Sequence, residues 1–244
     1  MFDAGMTGIR LNLSHSSLEG SHAWIYHYFA SQTGKEKKLM IDLIGPELRI
    51  GNLEGNMGLS NGAHVILGHG GIPAPKEIFP YIKKNQEILL DDGKIKLTAE
   101  QKISESLWRC KIICGGVLTA HKSIAMPGCS INNPTLTEAD LRNLAVAKQY
   151  KVTDVMLPFV RNKADLIILR EALREYGCED IRIFAKIENM TGVEHLEELI
   201  PYCDYIVIAR GDLGNAMPLS QLPRIQAHIA RVCRKHNKDF MIVT

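Results

Sequence analysis

The 244-residue sequence has no run approaching 18 consecutive apolar residues, so no membrane span is expected. Its opening, MFDAGMTGIR, lacks the apolar segment of a secretory signal, so none is expected. No C-x-x-C pair exists among the six cysteines and no H-E-x-x-H among the nine histidines. Neither G-x-x-x-x-G-K-[ST] nor G-x-G-x-x-G occurs, so P-loop and Rossmann readings have no support. With 29 basic and 27 acidic residues the net charge is only +2, which excludes the strongly basic surface typical of nucleic-acid binders. Gly 20 and Pro 10 are too few for a collagen or a low-complexity linker. What remains, 45% apolar and 23% charged residues, is ordinary globular composition and excludes a disordered chain.

The length fits one large domain or one domain carrying an insertion, at ~150 residues per domain. One pattern recurs: a short apolar run ends in polar or charged residues and an amphipathic stretch follows. The runs are 8–16, 38–46, 152–160, 181–189, 205–212 and 240–244, spaced roughly 25–35 residues apart except for one gap of more than 100. That is the period of βα units in a parallel sheet, with strands expected to end near Ser14, Asp42, Leu157, Glu188, Asp212 and Thr244. Thr137 is placed to cap a helix with Asp140 three residues on and Leu141, Leu144 and Ala145 on one face. Leu166, Leu169 and Leu173 mark a second helix stopped by Gly177. Ile225, Ile229 and Val232 mark a third, ending near Asn237.

The long gap differs in texture. Gly- and Asn-rich turns separate the short alternating runs HVILG, EILLDDGKIKL and SLWRCKIIC. This reads as a small β domain inserted into the βα series, with boundaries 1–50, 51–121 and 122–244. Cys110 and Cys114 are four apart, a spacing that allows a shared strand face. A metal site there is one reading, and reduced core thiols of a cytosolic enzyme are the other. In that setting the sequons at Asn12 and Asn189 are coincidental, and the expected localisation is cytoplasmic.

In a (βα) fold the strand C-terminal ends converge on one face, so polar residues there are catalytic candidates. Arg10, Asn12 and Ser14 alternate along one expected strand. Asp42 and Arg49 follow the second. Lys186 and Glu188 sit two apart in an apolar run, where an unpaired charge is costly. Arg210, Gly211 and Asp212 follow the fifth. Glu188 and Asp212 on neighbouring strands suit one Mg²⁺, which takes one or two carboxylates plus substrate phosphate. Lys186 beside it is a point charge for a developing enolate or a transferring phosphoryl group. A buried Lys186–Glu188 ion pair of purely structural value is the competing reading.

These segments, taken in order, resemble the pyruvate kinase family. Arg10-Leu-Asn12-Leu-Ser14-His15 is similar to its R-x-N-x-S-H, and Asp42-Leu-Ile-Gly45-Pro46-Glu47-Leu-Arg49 to its D-T-K-G-P-E-x-R. Asp91-Asp92-Gly93, Lys122-Ser-Ile-Ala-Met-Pro127-Gly128, Phe159-Val-Arg161, Lys186-Ile-Glu188-Asn189 and Ala209-Arg210-Gly211-Asp212-Leu213-Gly214 extend the match over essentially the whole chain. The resemblance implies an α/β fold, a (β/α) TIM-type barrel incomplete in this chain, with an inserted small β-barrel lid domain. It implies glycolytic phosphoryl transfer from phosphoenolpyruvate to ADP. Lys186 and Arg10 would be catalytic. Glu188 and Asp212 would hold Mg²⁺ (or Mn²⁺), and Asn12, Ser14, Asp42 and the carbonyl of Leu43 would hold K⁺. Ala209, Arg210, Gly211 and Thr244 would bind the substrate, and Arg49, His15 and Lys122 the nucleotide. Neither nucleic acid nor membrane is an expected partner, and self-association is left open.

The sequence departs from the family pattern at named places. Leu43 and Ile44 replace its Thr and Lys, Pro158 precedes Phe159 where a Ser is usual, Asn215-Ala216 lacks the usual acid, and Ser123 and Ala125 alter a further motif. Six strand runs are counted where a closed barrel needs eight. The family's first strand would precede Met1, and its eighth strand and C-terminal domain would follow Thr244. The chain is accordingly expected to be a fragment, a degenerate homologue or part of an assembly that covers open edges. Two other functions stay open at this level: a non-catalytic homologue that keeps metal or ligand binding, and a metal-assisted lyase acting on pyruvate enolate.

Overall fold

The computed structural model describes residues 4–31, 36–129, 131 and 133–243. The chain divides into two compact units, Met1–Pro46 with Pro134–Thr244, and Glu47–Asn133. The first unit opens with β1 (Gly8–Asn12), α1 (His22–Ala30) and β2 (Lys38–Asp42). The second contributes β3 (Met57–Leu59), β4 (His64–Leu67), β5 (Glu87–Leu90), β6 (Ile95–Ser104), β7 (Leu107–Cys114), β8 (Gly116–Leu118) and β9 (Ile124–Ala125). The first unit then resumes with α2 (Glu138–Val146), β10 (Asp154–Leu157), α3 (Lys163–Glu175) and β11 (Arg182–Ile187). It closes with α4 (Met190–Glu194), α5 (Leu196–Leu199), β12 (Tyr205–Ala209), α6 (Arg210–Ala216), α7 (Leu222–Lys235) and β13 (Asp239–Val243).

All six expected strand runs form, and all pair in parallel in the order β1-β2-β10-β11-β12-β13. The sheet is open and curls as a half-barrel. Register sets Asn12 and Met156 on either side of Asp42. One sheet face packs under the helices in a large apolar core that includes Ile41, Val155, Leu169, Ile183, Ile206 and Ile229. The other face carries a smaller cluster of Met156, Phe184 and Val207. At the N-terminal side of that face Phe184 and Tyr205 stack with centroids 4.4 Å apart, and Arg182 lies over both rings while pairing with buried Asp154 at 2.5 Å.

Two strands stop sooner than expected. β1 ends at Asn12 because the chain turns there: the Ser14 N–H donates to Asn12 Oδ1 at 3.0 Å, which removes Ser14 from the strand face. β12 ends at Ala209, and Arg210 already begins α6, so Asp212 sits in a first helical turn and not on a strand beside Glu188.

α2 has the expected Thr137 cap as a full capping box with Asp140. Its buried stripe, however, is Asp140, Asn143, Leu144 and Ala147, while Leu141 and Ala145 face solvent. Two polar residues are buried because backbone amides of neighbouring loops bind them. The Leu18 N–H donates to Asn143 Oδ1 at 2.9 Å, and the Ile44 and Gly45 N–H groups donate to Asp140.

In the second unit β4-β7-β6-β5-β9 form an antiparallel sheet, and β3 pairs with β8. The ladders are not one closed barrel: the Gly115 N–H donates to Asn61 Oδ1, and the strand beyond it pairs with β3. Asp91, Asp92 and Gly93 make the β5–β6 turn with φ of 48°, 55° and 80°. Cys110 and Cys114 do not share a face. A bulge opposite Lys96 and Leu97 lies between them, so Cys110 is buried and Cys114 exposed. Burial pushes the Cys110 thiol up to about 12, an inert core sulfhydryl.

Leu169 is fully buried on α3 whereas its neighbour Ile168 is 43% exposed. Leu169→Ala is expected to cost about 2–5 kcal/mol in urea unfolding. Ile168→Ala, on the solvent side, should fall within about 0.5 kcal/mol of wild type. Equal losses at the two positions would contradict the assigned helix face.

Candidate active site

The parallel register brings charged side chains together at the strand C-termini of the first unit. Asp42 ends β2, with Oδ2 3.3 Å from Arg10 Nη2 and Oδ1 3.6 Å from Lys186 Nζ. The same Lys186 Nζ lies 2.7 Å from Glu188 Oε1. Glu188 Oε2 accepts the Phe159 N–H at 2.7 Å. Asp42 and Glu188 are 3% and 2% exposed, so both carboxylates have lost nearly all contact with water. Apart from Lys186, neither Asp42 Oδ1 nor Glu188 Oε1 has a hydrogen-bonding partner among the described residues.

Asp212, from the first turn of α6, adds its negative charge to the same group. Three carboxylates therefore face two cations, Lys186 and the half-exposed Arg10. Burial, reinforced by Asp212 and opposed by Lys186, pushes Glu188 up to about 8. Burial likewise raises Asp42 despite the attraction of Lys186 and Arg10. Burial alone would lower Lys186, but Glu188 and Asp42 outweigh it and hold the ammonium above its usual range. The excess negative charge has two remedies, a proton on Glu188 or a bound cation.

The donor chemistry fits cations. Glu188 and Asp212 offer carboxylate oxygens, the hard ligands that Mg²⁺ prefers. No group of three or more His, Cys, Asp or Glu able to hold a metal occurs among the described residues. At the ends of β1 and β2 Asn12 stands opposite Asp42, and Asn12 Oδ1 accepts the Ser14 N–H. Leu43 follows directly, and its N–H donates to Met156 O at 3.0 Å.

The other expected site residues are distributed as follows. Buried Ala209 ends β12, and exposed Arg210 and Gly211 open α6, which has no side-chain cap. Thr244 lies outside the described residues. His15 is exposed in the turn after β1. Arg49 and Lys122 belong to the second unit. There Arg49 pairs with Glu47 at 2.5 Å and donates to His121 O. Lys122 pairs with Asp91 at 2.8 Å and, together with Lys94, holds that carboxyl below its usual range.

Sequence reasoning missed three supports. Asp140 enters the sequence reading only as the partner of the Thr137 cap and Asn143 not at all, yet both are buried and bind loop amides. Asp165 receives Thr135 Oγ1 at 2.6 Å and Arg161 Nη2 at 2.7 Å. Burial works to raise it, but these donors hold it below the usual carboxylate range. Phe159 adopts φ 53°, the left-handed region, which aims its N–H at Glu188.

A family model described as pyruvate kinase, barrel domain, matches residues 1–244. The chain is 32% identical over 246 residues to a pyruvate kinase of Chlamydia pneumoniae, covering 96% of this chain and 51% of that protein. It is 31% identical over 256 residues to one of Staphylococcus epidermidis, covering 100% and 44% respectively. A third relative, from Borreliella burgdorferi, is 31% identical over 251 residues, covering 100% and 52%. The chain spans about half the length of the curated relatives it matches.

A carboxyl raised on folding binds more protons in the native than in the unfolded state, so its contribution to stability is lost as pH rises. For Glu188 that contribution is complete below an ordinary Glu pKa of ~4.3 and disappears as pH climbs toward about 8. In chelator, wild-type stability relative to Glu188→Gln is expected to fall across that window. Urea unfolding of both proteins at several pH values measures it. A difference independent of pH would show that Glu188 is ionised throughout.

Proposed function

This chain belongs to the pyruvate kinase family, and from that membership we propose that the strand ends of its first unit are a phosphoryl-transfer site acting on phosphoenolpyruvate and ADP. The observation that carries the reading is one partly buried lysine, Lys186, set between two buried carboxylates, with the more exposed Arg10 also paired to Asp42. Phosphoryl transfer needs this kind of arrangement, because the charge that moves must be met by cations already in place. The bond from phosphorus to the enol oxygen breaks and its electron pair stays on that oxygen. A terminal ADP oxygen takes the phosphoryl group, and the enolate gains a proton to become pyruvate.

Lys186 stabilises the enolate oxygen as negative charge arrives there. Arg10, half-exposed, meets the phosphate. Glu188 and Asp212 would hold Mg²⁺ (or Mn²⁺), which would supply further positive charge for the transfer. Asn12, Ser14, Asp42 and the Leu43 carbonyl hold K⁺. Ala209, Arg210, Gly211 and Thr244 bind the substrate carboxylate. Arg49, His15 and Lys122 receive the nucleotide, and the inserted segment, expected at 51–121 from sequence and described as the unit Glu47–Asn133, is the lid domain. Two departures from the family pattern occupy defined places: Ile44 packs partly buried on the main core, and Pro158 packs against Gly45.

Pyruvate formation from phosphoenolpyruvate and ADP, with Mg²⁺ and K⁺ present, tests the proposal. Lys186→Met is expected to lower turnover ~10²–10³-fold, the cost of removing one preorganised donor, while phosphoenolpyruvate binding weakens far less. Melting measured on the same sample separates chemistry from folding. A large drop in melting temperature with normal activity per folded molecule would make the lysine a structural ion pair only.

A further inference from the structure

Asp140 is fully buried, and its carboxylate collects four donors. Oδ2 accepts the Thr137 N–H at 2.9 Å and the Thr137 hydroxyl at 2.8 Å, which complete the cap of α2. The other two bonds lie outside the helix. Oδ1 accepts the Ile44 N–H at 2.8 Å, and Oδ2 also accepts the Gly45 N–H at 3.0 Å. A cap of α2 needs neither.

Those two bonds fix the segment that follows Asp42. A trans peptide is planar, with its N–H and C=O pointing in opposite directions. Holding the Ile44 N–H on Asp140 therefore turns the Leu43 carbonyl away from Asp140. The Leu43 N–H is itself tied to Met156 O, so the residue is held at both of its peptide planes. The Leu43 carbonyl accepts no hydrogen bond from the described residues. Gly45 closes the turn with φ 63°, and a Cβ there would stand 2.5 Å from Pro158 Cγ, which leaves the loop little room to relax.

We propose that Asp140 is a positioning residue for the monovalent-cation site: by binding the Ile44 and Gly45 amides it holds the Leu43 carbonyl in the direction in which a cation can use it. This rests on the K⁺ reading given above. Asp140 touches neither substrate nor ion and acts through the backbone of its two partners. The carboxylate suits the task because charged acceptors form stronger bonds to amides than neutral ones do. Asn143, one turn along the same helix, ties the loop after β1 through Leu18. The face of α2 thus anchors the loops that follow both strands contributing to the site.

The test uses K⁺-induced stabilisation of the whole chain, compared with tetramethylammonium at equal ionic strength, together with amide exchange at Ile44 and Gly45. In wild type, K⁺ raises the melting temperature and both amides are protected. Asp140→Asn keeps one acceptor oxygen but places an NH₂ where the second stood. It is expected to lose protection at one or both amides and to shift half-saturation by K⁺ about ten-fold upward, the scale of one lost charge-assisted bond. Thr137→Ala removes the cap yet leaves the two loop amides bonded, so it lowers melting while keeping the wild-type K⁺ response. Should Asp140→Asn not fold, Asp140→Glu retains the charge but displaces the carboxylate by a methylene, and the same rise in half-saturation is expected. An unchanged K⁺ response in the Asp140 variant, or an equal loss in Thr137→Ala, overturns the positioning role while the cation reading stands. A wild-type chain that K⁺ does not stabilise overturns the cation reading, and this inference with it.

Discussion

The surplus of buried negative charge at the ends of β2 and β11 is the constraint that orders the site. Asp42 and Glu188 are sealed from water, Asp212 adds a third negative charge, and Lys186 and Arg10 answer only part of it. Burying an unpaired carboxylate is among the costliest acts in folding. The molecule meets the cost with one shared ammonium, one backbone N–H from Phe159 and a raised affinity of Glu188 for a proton. The same imbalance that burdens the fold makes the site receptive to cations, so stability and ligand affinity trade against each other at the same few atoms.

Holding such a site requires rigid loops, and the loops are held by buried polar groups more than by apolar contact. Asp140 and Asn143 bind the loops after β2 and β1, Asn189 donates to Val160 O, and Asp165 gathers Thr135 and Arg161. Gly192 lets this happen closely: a Cβ there would lie 2.4 Å from Val160 O. The bonds to Leu18, Ile44, Gly45 and Val160 satisfy backbone groups in the loops that follow strands, where no sheet partner is available. The helices therefore do two jobs, covering the sheet with their apolar stripes and closing its ends with their polar ones.

The second unit solves a different problem. Its antiparallel ladders come from short alternating runs and left-handed turns, and its core of Ile88, Leu97, Trp108 and Ile112 belongs to it alone. The Lys122–Asp91–Lys94 group shows the converse of the main site, with two cations holding one carboxylate ionised.

Sequence pattern is enough for the six parallel strands, the helices at 163–175 and 222–235 and the β-rich character of the middle segment, while its antiparallel pairing is seen only in the structure. Periodicity carries those, because an apolar run two residues in period or a leucine stripe at helical spacing has one favourable burial. It also brought Arg10, Asp42, Lys186 and Glu188 forward, since charges at the end of apolar runs need partners. Tertiary structure alone decided three further matters. Asp212 moved from a strand into a helix, because the chain coils directly after Ala209. Cys110 and Cys114 parted faces, because a bulge depends on the partner strand's register. Asp140 and Asn143 went inside, against their polarity, because the amides that bind them lie 95 and 125 residues away in sequence, beyond the reach of any local pattern.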